Sequence, residues 1–215
     1  MIRLLSYILP ITKRIESQYN GTLEITWFNG KKHLNSKNAN YSYGSLQEIL
    51  RIGLQKTDLL NCKKILVLGL GAGSVIETLR KDLNYNNHIT ALEIDPVIIE
   101  IAKKEFKLSE TKNLKIICDD ALNFMNKNIV KFDLIIIDLF IDTEVPSPFY
   151  KTSFWNNVIK ANSSKGIILF NASLQTDDDN NIQDIKSLLL ASNYKTEQLN
   201  KVEGTNTLLI AKSFN

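Results

Sequence analysis

Cysteine, histidine and tryptophan are scarce in this chain of 215 residues, with two of each. Cys62 and Cys118 form no CxxC motif and neither lies near a histidine in sequence. They read as reduced, partly buried thiols of a cytosolic protein. His33 and His88 lack the spacing of metal ligands, which excludes a zinc site, and no metal is expected. Long apolar runs are also missing. Leu4 to Ile11 is short, is broken by Pro10, and is followed by Thr12-Lys13-Arg14 rather than a small-residue cleavage site. That excludes a signal peptide and a membrane span, so a soluble, cytoplasmic protein with no membrane partner is expected. An excess of one charge is absent too. The net charge is +3, and basic pairs such as Lys103-Lys104 lie between acids, here Glu100 and Glu105. A solvated helix face accounts for that pattern, and no nucleic-acid partner is expected.

What is present suffices for a sizeable core: 44% of the residues are hydrophobic, and the length suits one domain with a small appendage. Asn20-Gly21 and Asn29-Gly30 are type I′ turn candidates between the strand-like runs Ile11–Gln18, Thr22–Phe28 and Lys31–Asn35. In the middle run Leu23, Ile25 and Trp27 alternate with Thr22, Glu24 and Thr26, so one face is buried. Residues 11–36 therefore read as a three-stranded meander, too thin to stand alone, that packs on the main domain or on another subunit. Ser45 to Leu60 reads as a helix with Ser45 as N-cap and Leu46, Leu50 and Leu54 on one face, beside Ile49.

From residue 63 onward, β-rich apolar runs alternate with helical stretches. The strands are Lys64–Leu68, His88–Glu93, Leu114–Cys118, Asp133–Asp138, Gly166–Asn171, Tyr194–Leu199 and Thr207–Lys212. The helices are Ser74–Asp82, Pro96–Glu105, Ala121–Asn126, Thr152–Ala161 and Ile182–Ala191. Continuous apolar strands such as Leu134–Ile137 belong to a parallel sheet covered on both faces. The fold class is α/β: a Rossmann-like, seven-stranded, doubly wound sheet with a C-terminal antiparallel hairpin, preceded by a small N-terminal β-domain. The expected domains are 1–44 and 45–215. Asp177-Asp178-Asp179-Asn180-Asn181 reads as a polar loop and helix start.

The chemistry-bearing residues sit at strand ends. The first strand runs into Gly69-Leu70-Gly71-Ala72-Gly73 and then a helix, where missing Cβ atoms and free N–H groups let backbone approach a ligand. The second strand ends in Glu93, 20 residues after Gly73, where a carboxylate can accept both ribose hydroxyls of a nucleoside. After the third strand, Asp119-Asp120 can accept an adenine amino proton, although either acid could also be a helix cap. Ser74 stands where the dinucleotide fingerprint needs a third glycine, which argues against a nicotinamide cofactor. Asp138 ends the fourth strand, which lies beside the first across the switch point. Leu139 to Tyr150 follows without periodicity, holds Asp142 and Glu144, and sits where a substrate-covering loop belongs.

The runs Ile65 to Gly73, Ala91-Leu92-Glu93-Ile94-Asp95, Cys118-Asp119-Asp120-Ala121 and Phe132 to Asp138 resemble the class I S-adenosylmethionine-dependent methyltransferase fold. More closely, the chain resembles the spermidine synthase-like branch of that superfamily, over nearly its whole length. The resemblance implies that Gly69, Gly71, Gly73, Glu93, Asp120 and Ala121 bind S-adenosylmethionine or its decarboxylated form. Glu93 takes the ribose and Asp120 the adenine, while Asp138 is the catalytic acid facing the acceptor. It further implies a homodimer formed through the N-terminal region.

Three departures bear on the substrate. Ala72 replaces the Asp that aminopropyltransferases carry in the glycine loop. Asp138 and Asp142 are one residue further apart than the family's Asp-x-x-Asp pair, and Tyr41-Ser42-Tyr43 stands in place of Tyr-His-Glu. A polyamine needs several carboxylates around it. The leading expectation is therefore an S-adenosylmethionine-dependent methyltransferase acting on a small-molecule acceptor. The alternative is a polyamine aminopropyltransferase in which Tyr41, Asp138, Asp142 and Glu144 build a cation pocket. A further alternative is a non-catalytic nucleoside-binding dimer.

Overall fold

The structure, a computed structural model, describes residues 2–36, 40–173 and 180–214. A short helix α1 (Ile2–Leu5) precedes an antiparallel sheet of β1 (Ile11–Ser17), β2 (Gly21–Phe28), β3 (Lys31–Asn35) and β4 (Asn40–Ser42), paired in that order. The meander thus carries a fourth, short strand beyond the three read from the sequence. Asn29 and Gly30 both have positive φ, 48° and 72°, as a type I′ turn requires. The Asn20-Gly21 pair departs from that expectation. Ser17 pairs with Gly21, so the loop is three residues long and only Gly21 is left-handed, at φ 61°. Its cause is local bonding: Ser17 Oγ accepts from the N–H groups of Tyr19 and Asn20, and the Asn20 amide donates to Asp95.

Period two in β2 directs Leu23 and Ile25 inward, where they join Leu34, Ala72, Ile98 and Ile101 in one apolar cluster. The meander therefore packs on the main fold of its own chain. Trp27 stays outside that cluster, with the Lys32 ammonium 4.9 Å from its ring centroid.

The central sheet comprises β5 (Lys64–Leu68), β6 (His88–Glu93), β7 (Leu114–Cys118), β8 (Phe132–Ile137), β9 (Asn162–Ser173), β10 (Tyr194–Val202) and β11 (Asn206–Ser213). Their order is β10-β11-β9-β8-β5-β6-β7, with β11 antiparallel to both neighbours and the remaining pairs parallel. Alternate side chains point to opposite faces. Leu66, Leu68, Ile135, Ile137, Ile168 and Phe170 meet α5 (Ala121–Lys127), α6 (Thr152–Ala161) and α7 (Asn180–Ala191). Ile65, Val67, Leu134, Ile136, Ile167 and Leu169 meet α2 (Ser45–Gln55) and α3 (Ser74–Glu77). Helix α4 (Pro96–Glu105) packs against the small sheet.

Two helices differ from their expected form. Gly44, with φ 61°, occupies the N-cap position of α2 in place of Ser45. That helix also stops at Gln55, where Lys56 and Thr57 turn back to bond the carbonyls of Gly53 and Leu54. The helix after the glycine loop passes into a π-helical turn, Thr78–Asp82, closed by Leu83 N–H on the Thr78 carbonyl at 3.0 Å. Cys62 is buried and Cys118 exposed, both without a disulfide; Cys118 is less covered than expected because β7 is an edge strand. Among the described residues no helix is long and apolar enough to cross a membrane. The acidic run Asp177-Asp178-Asp179 lies outside the described residues.

Candidate active site

β5 turns into its helix through Gly69-Leu70-Gly71-Ala72-Gly73. Gly69 has φ 92°, and a Cβ there would overlap the backbone carbonyl of Asp138. The close approach is fixed by Asp138 N–H on the Leu68 carbonyl at 2.8 Å. On the other side, Gly69 and Leu70 donate to the Leu92 carbonyl at 3.1 and 2.9 Å. The loop is thereby pinned between the ends of β6 and β8, at the point where the strand order reverses. Gly73, with φ 90°, has another constraint: a Cβ would come within 2.8 Å of Leu108 Cδ2. Gly69 and Gly71 line a cavity that Gly73 does not reach. Ala72 faces the small sheet instead and is fully buried.

That cavity, of about 420 Å³, lies over the C-terminal ends of β5, β6, β7 and β8. Glu93 enters it from β6. Its Oε2 accepts from Gly71 N–H at 3.0 Å and its Oε1 from Asp95 N–H at 3.1 Å. Burial pushes its carboxyl up to about 7, with the Asp95 and Gly71 N–H groups pulling down and the Asp95 charge pushing up. Asp119, Asp120 and Ala121 line the wall beyond β7. Asp120 also caps α5, its Oδ1 accepting from Asn123 N–H at 3.0 Å, so the cap and cavity roles coexist in one side chain.

Asp138 enters from β8. Asp138 is half-buried; desolvation pushes its carboxyl up to about 6, while the hydrogen bond from Asn171 Nδ2 to Oδ1, at 2.9 Å, pulls the other way. Asp142 sits at the apex of a turn closed by reciprocal hydrogen bonds between Ile141 and Glu144. It lines the cavity, and its Oδ1 accepts from Ser36 Oγ at 2.6 Å. Glu144 is exposed and outside the lining. Tyr41 belongs to β4 by its backbone, but its side chain lies outside the described residues. Among the described lining residues there is no Lys, Arg or His.

Several wall residues escaped the sequence reading. Tyr19 and Asn20 come from the β1–β2 turn, Thr205 from the β10–β11 turn and Asn206 from the start of β11. Asp95, fully buried, fastens the first of these: it caps α4 through Val97 N–H at 2.9 Å and accepts from Asn20 Nδ2 at 2.7 Å and from Ser17 Oγ. Asp95-Pro96 was recognisable in the sequence as a helix start; its tie to a residue 75 positions away was not. Asn171 follows the apolar run Ile167–Phe170 as Asp138 follows Leu134–Ile137, and that common feature was available as a pointer to both.

The spermine/spermidine synthase domain matches residues 46–195, more than two thirds of the chain. The chain belongs to this family. Two of its relatives carry different activities in their names. A Drosophila melanogaster protein described as an eEF1A lysine and N-terminal methyltransferase homolog is 29% identical over 176 residues, covering 66% of this chain and 26% of that protein. A polyamine aminopropyltransferase of Vibrio vulnificus is 30% identical over 112 residues, covering 51% of this chain and 37% of that enzyme. The chain thus spans well under half the length of either curated relative. Among solved structures, human methyltransferase-like protein 13, in complex with SAH, superposes with a TM-score of 0.63 at 23% identity, over 79% of this chain and 81% of that one. That likeness shows the Rossmann-like fold.

Proposed function

We propose that this chain is a spermidine synthase-like alkyl-group transferase that takes S-adenosylmethionine as donor and passes its methyl group to a nitrogen or oxygen of a small-molecule acceptor. The observation that carries this is one cavity holding Glu93 and Asp120 on one side and Asp138 on the other. Its volume of about 420 Å³ falls within the roughly 300–1,000 Å³ of small-molecule sites. The residues present fit the donor. Glu93 keeps lone pairs for ribose hydroxyls beyond those used by Gly71 and Asp95, Asp120 can accept from an adenine amino group with Ala121 beside it, and Gly69 and Gly71 present backbone without side chains. Cavity carboxylates with no Lys, Arg or His among the described lining residues favour a cationic ligand.

When bound, the donor supplies an electrophilic carbon on a sulfonium and a neutral thioether leaving group. The chain aligns the acceptor for in-line attack and excludes water. Asp138 orients the attacking atom and receives the proton that it sheds. The fly relative's methyltransferase name and the SAH bound to the human neighbour support the same direction.

A second reading, aminopropyl transfer from decarboxylated S-adenosylmethionine to a diamine, is favoured by Asp142, which joins Asp138 in a wall that holds no basic side chain among the described residues, and by the Vibrio relative. Dissociation constants for both donors at one ionic strength, followed by turnover with putrescine, separate the two. Preference for S-adenosylmethionine and no use of putrescine is expected. Preference for the decarboxylated donor, with putrescine consumed, overturns the first reading and establishes the second. Donor binding without turnover on any amine or hydroxyl acceptor establishes a non-catalytic nucleoside-binding protein.

On the same reading the chain divides at residues 44 and 45 and works in the cytoplasm as a homodimer, without nucleic acid. The low net charge supports the last point, and the exposed apolar side chains Leu4, Ile8 and Leu9 support contact with a second copy. A monomer by light scattering would remove the dimer from this proposal.

A further inference from the structure

Behind Asp138 stand three polar side chains that the transferase reading leaves unused. Asn171 Nδ2 donates to Asp138 Oδ1 at 2.9 Å, Asn206 Nδ2 donates to Asn171 Oδ1 at 2.9 Å, and Thr205 Oγ1 donates to Asn206 Oδ1 at 2.8 Å. Asn171 is fully buried and Asn206 nearly so. They come from β9, from the first residue of β11 and from the turn before it, so the chain of bonds crosses two strands to reach the end of a third. A primary amide donates only through nitrogen and accepts only through oxygen, so the direction of each amide is dictated by its neighbour. Asn171 has either end to offer Asp138. Because Asn206 donates to its oxygen, only the NH2 end is left.

We propose that Asn171, Asn206 and Thr205 are positioning residues: a one-way chain of hydrogen-bond donation that holds Asp138 as an accepting carboxylate, with its second oxygen toward the acceptor. The proposal rests on the transferase reading of this cavity and deepens it. The groups that share the cavity with Asp138 are Glu93 from β6, Asp119 and Asp120 beyond β7, Asp142 from the covering loop and Tyr19 from the small sheet; β5 contributes Gly69. No lining side chain among the described residues is a cation, so donation from Asn171 is what opposes the desolvation of Asp138. Burying a carboxylate without such a donor favours its protonated form, which cannot take a proton from an acceptor.

Asn206→Asp tests the direction of the chain. It replaces the amide that donates to Asn171 by a group that only accepts. Asn171 then turns its NH2 toward position 206 and its oxygen toward Asp138, which must hold a proton to bond it. The titration of the Asp138 carboxyl, followed by carbon-13 NMR of the full chain with labelled aspartate and assigned by its loss in Asp138→Asn, is expected to shift upward by about one pH unit, a tenfold tighter proton. Asn206→Leu adds no charge and is expected to shift the midpoint the same way by less, which separates amide reversal from added charge. Thr205→Val removes only the first donor, and its smaller upward shift keeps the test available if the other two variants do not fold. An unmoved midpoint in the folded variants overturns the relay. The pH at half-maximal turnover is expected to follow the NMR midpoint. A moved midpoint in a chain that transfers nothing keeps the relay and sinks the transferase reading; an unmoved midpoint in an active chain does the reverse.

Discussion

The backbone N–H of Gly71 donates to Oε2 of Glu93 at 3.0 Å, tying the glycine loop to the acid that ends the neighbouring strand. On the proposed reading, the two features that would hold a nucleoside are thus in direct contact. The loop approaches Glu93 closely because Gly69 and Leu70 are bonded to the Leu92 carbonyl one residue earlier.

Glu93→Ala is therefore expected to weaken S-adenosylmethionine or methylthioadenosine by about 1.5–3 kcal/mol, the worth of a hydrogen bond to a charged group. Calorimetric titration checks it, and unchanged affinity in a folded variant removes Glu93 from the site. The same titration in the wild-type chain is expected to weaken as pH falls through about 7, where burial has placed the Glu93 carboxyl. Protonation costs it an acceptor for ribose hydroxyls.

Stability in the absence of ligand is expected to fall as pH rises. Glu93 is pushed up from 4.5 to about 7 and Asp138 from 3.8 to about 6 by burial. Between the unfolded and folded values the native state holds more protons than the unfolded chain, so unfolding free energy declines with pH across that window. The upper bound is on the order of 3 kcal/mol for each group. Denaturant unfolding at pH 4.5 and pH 8 measures the slope. Glu93→Gln and Asp138→Asn should each flatten it, and an unchanged slope in both would contradict the assignment.

Asp95 is expected to act as the latch of the β1–β2 turn. It accepts from Val97 N–H, Asn20 Nδ2 and Ser17 Oγ while fully buried. Asp95→Ala leaves those donors behind and should cost about 1–3 kcal/mol of stability. Asn20→Ala removes one donor at the cavity wall and should weaken nucleoside binding with a smaller loss of stability. Equal Kd values for wild type and Asn20→Ala would show that the turn does not shape the cavity.

Asp138→Asn is expected to lower kcat by roughly 10²–10⁴-fold, the usual contribution of a positioned acid or base, with donor Kd within a few-fold of wild type. Single-turnover kinetics with saturating donor separate the two quantities. Full activity in the variant would remove Asp138 from the chemistry.

Ala72→Asp, which restores the residue carried by aminopropyltransferases, is expected to destabilise rather than to change donor choice. The Ala72 side chain packs with Leu23, Ile25, Leu34, Ile98 and Ile101 and is fully buried. A carboxylate there has no partner, at a cost of several kcal/mol. Thermal unfolding of the variant decides it; a stable protein with a reversed donor preference would show that position 72 does face the ligand.

Much of the fold was legible in the sequence. The bounds of β3, β5, β6, β7, α4 and α6 agree with those read from residue pattern, because each is bracketed by local chemistry: Asn29-Gly30 before β3, Asp95-Pro96 before α4. Where local chemistry was ambiguous the reading failed. Asn20-Gly21 looks like Asn29-Gly30, but the Asn20 side chain is drawn to Asp95. The alternation of Leu23 and Ile25 gave the buried face without its partner, which proves to be α4 of the same chain.

The sequence by itself determined which acids end which strands, since an apolar run buried on both faces stops where a charge must reach solvent or a cavity. Glu93, Asp120 and Asp138 were identified that way, and one cavity receives all of them. Only the tertiary structure decided the rest of the wall. It brought in Tyr19 and Asn20, separated Asp142 in the lining from Glu144 outside it, left out Gly73, and joined Asn206 to Asn171 across 35 residues. Strand ends answer to the local pattern of polar and apolar residues. A cavity wall answers to how segments distant in sequence pack, and Asn20 meeting Asp95 leaves no periodicity for the sequence to display.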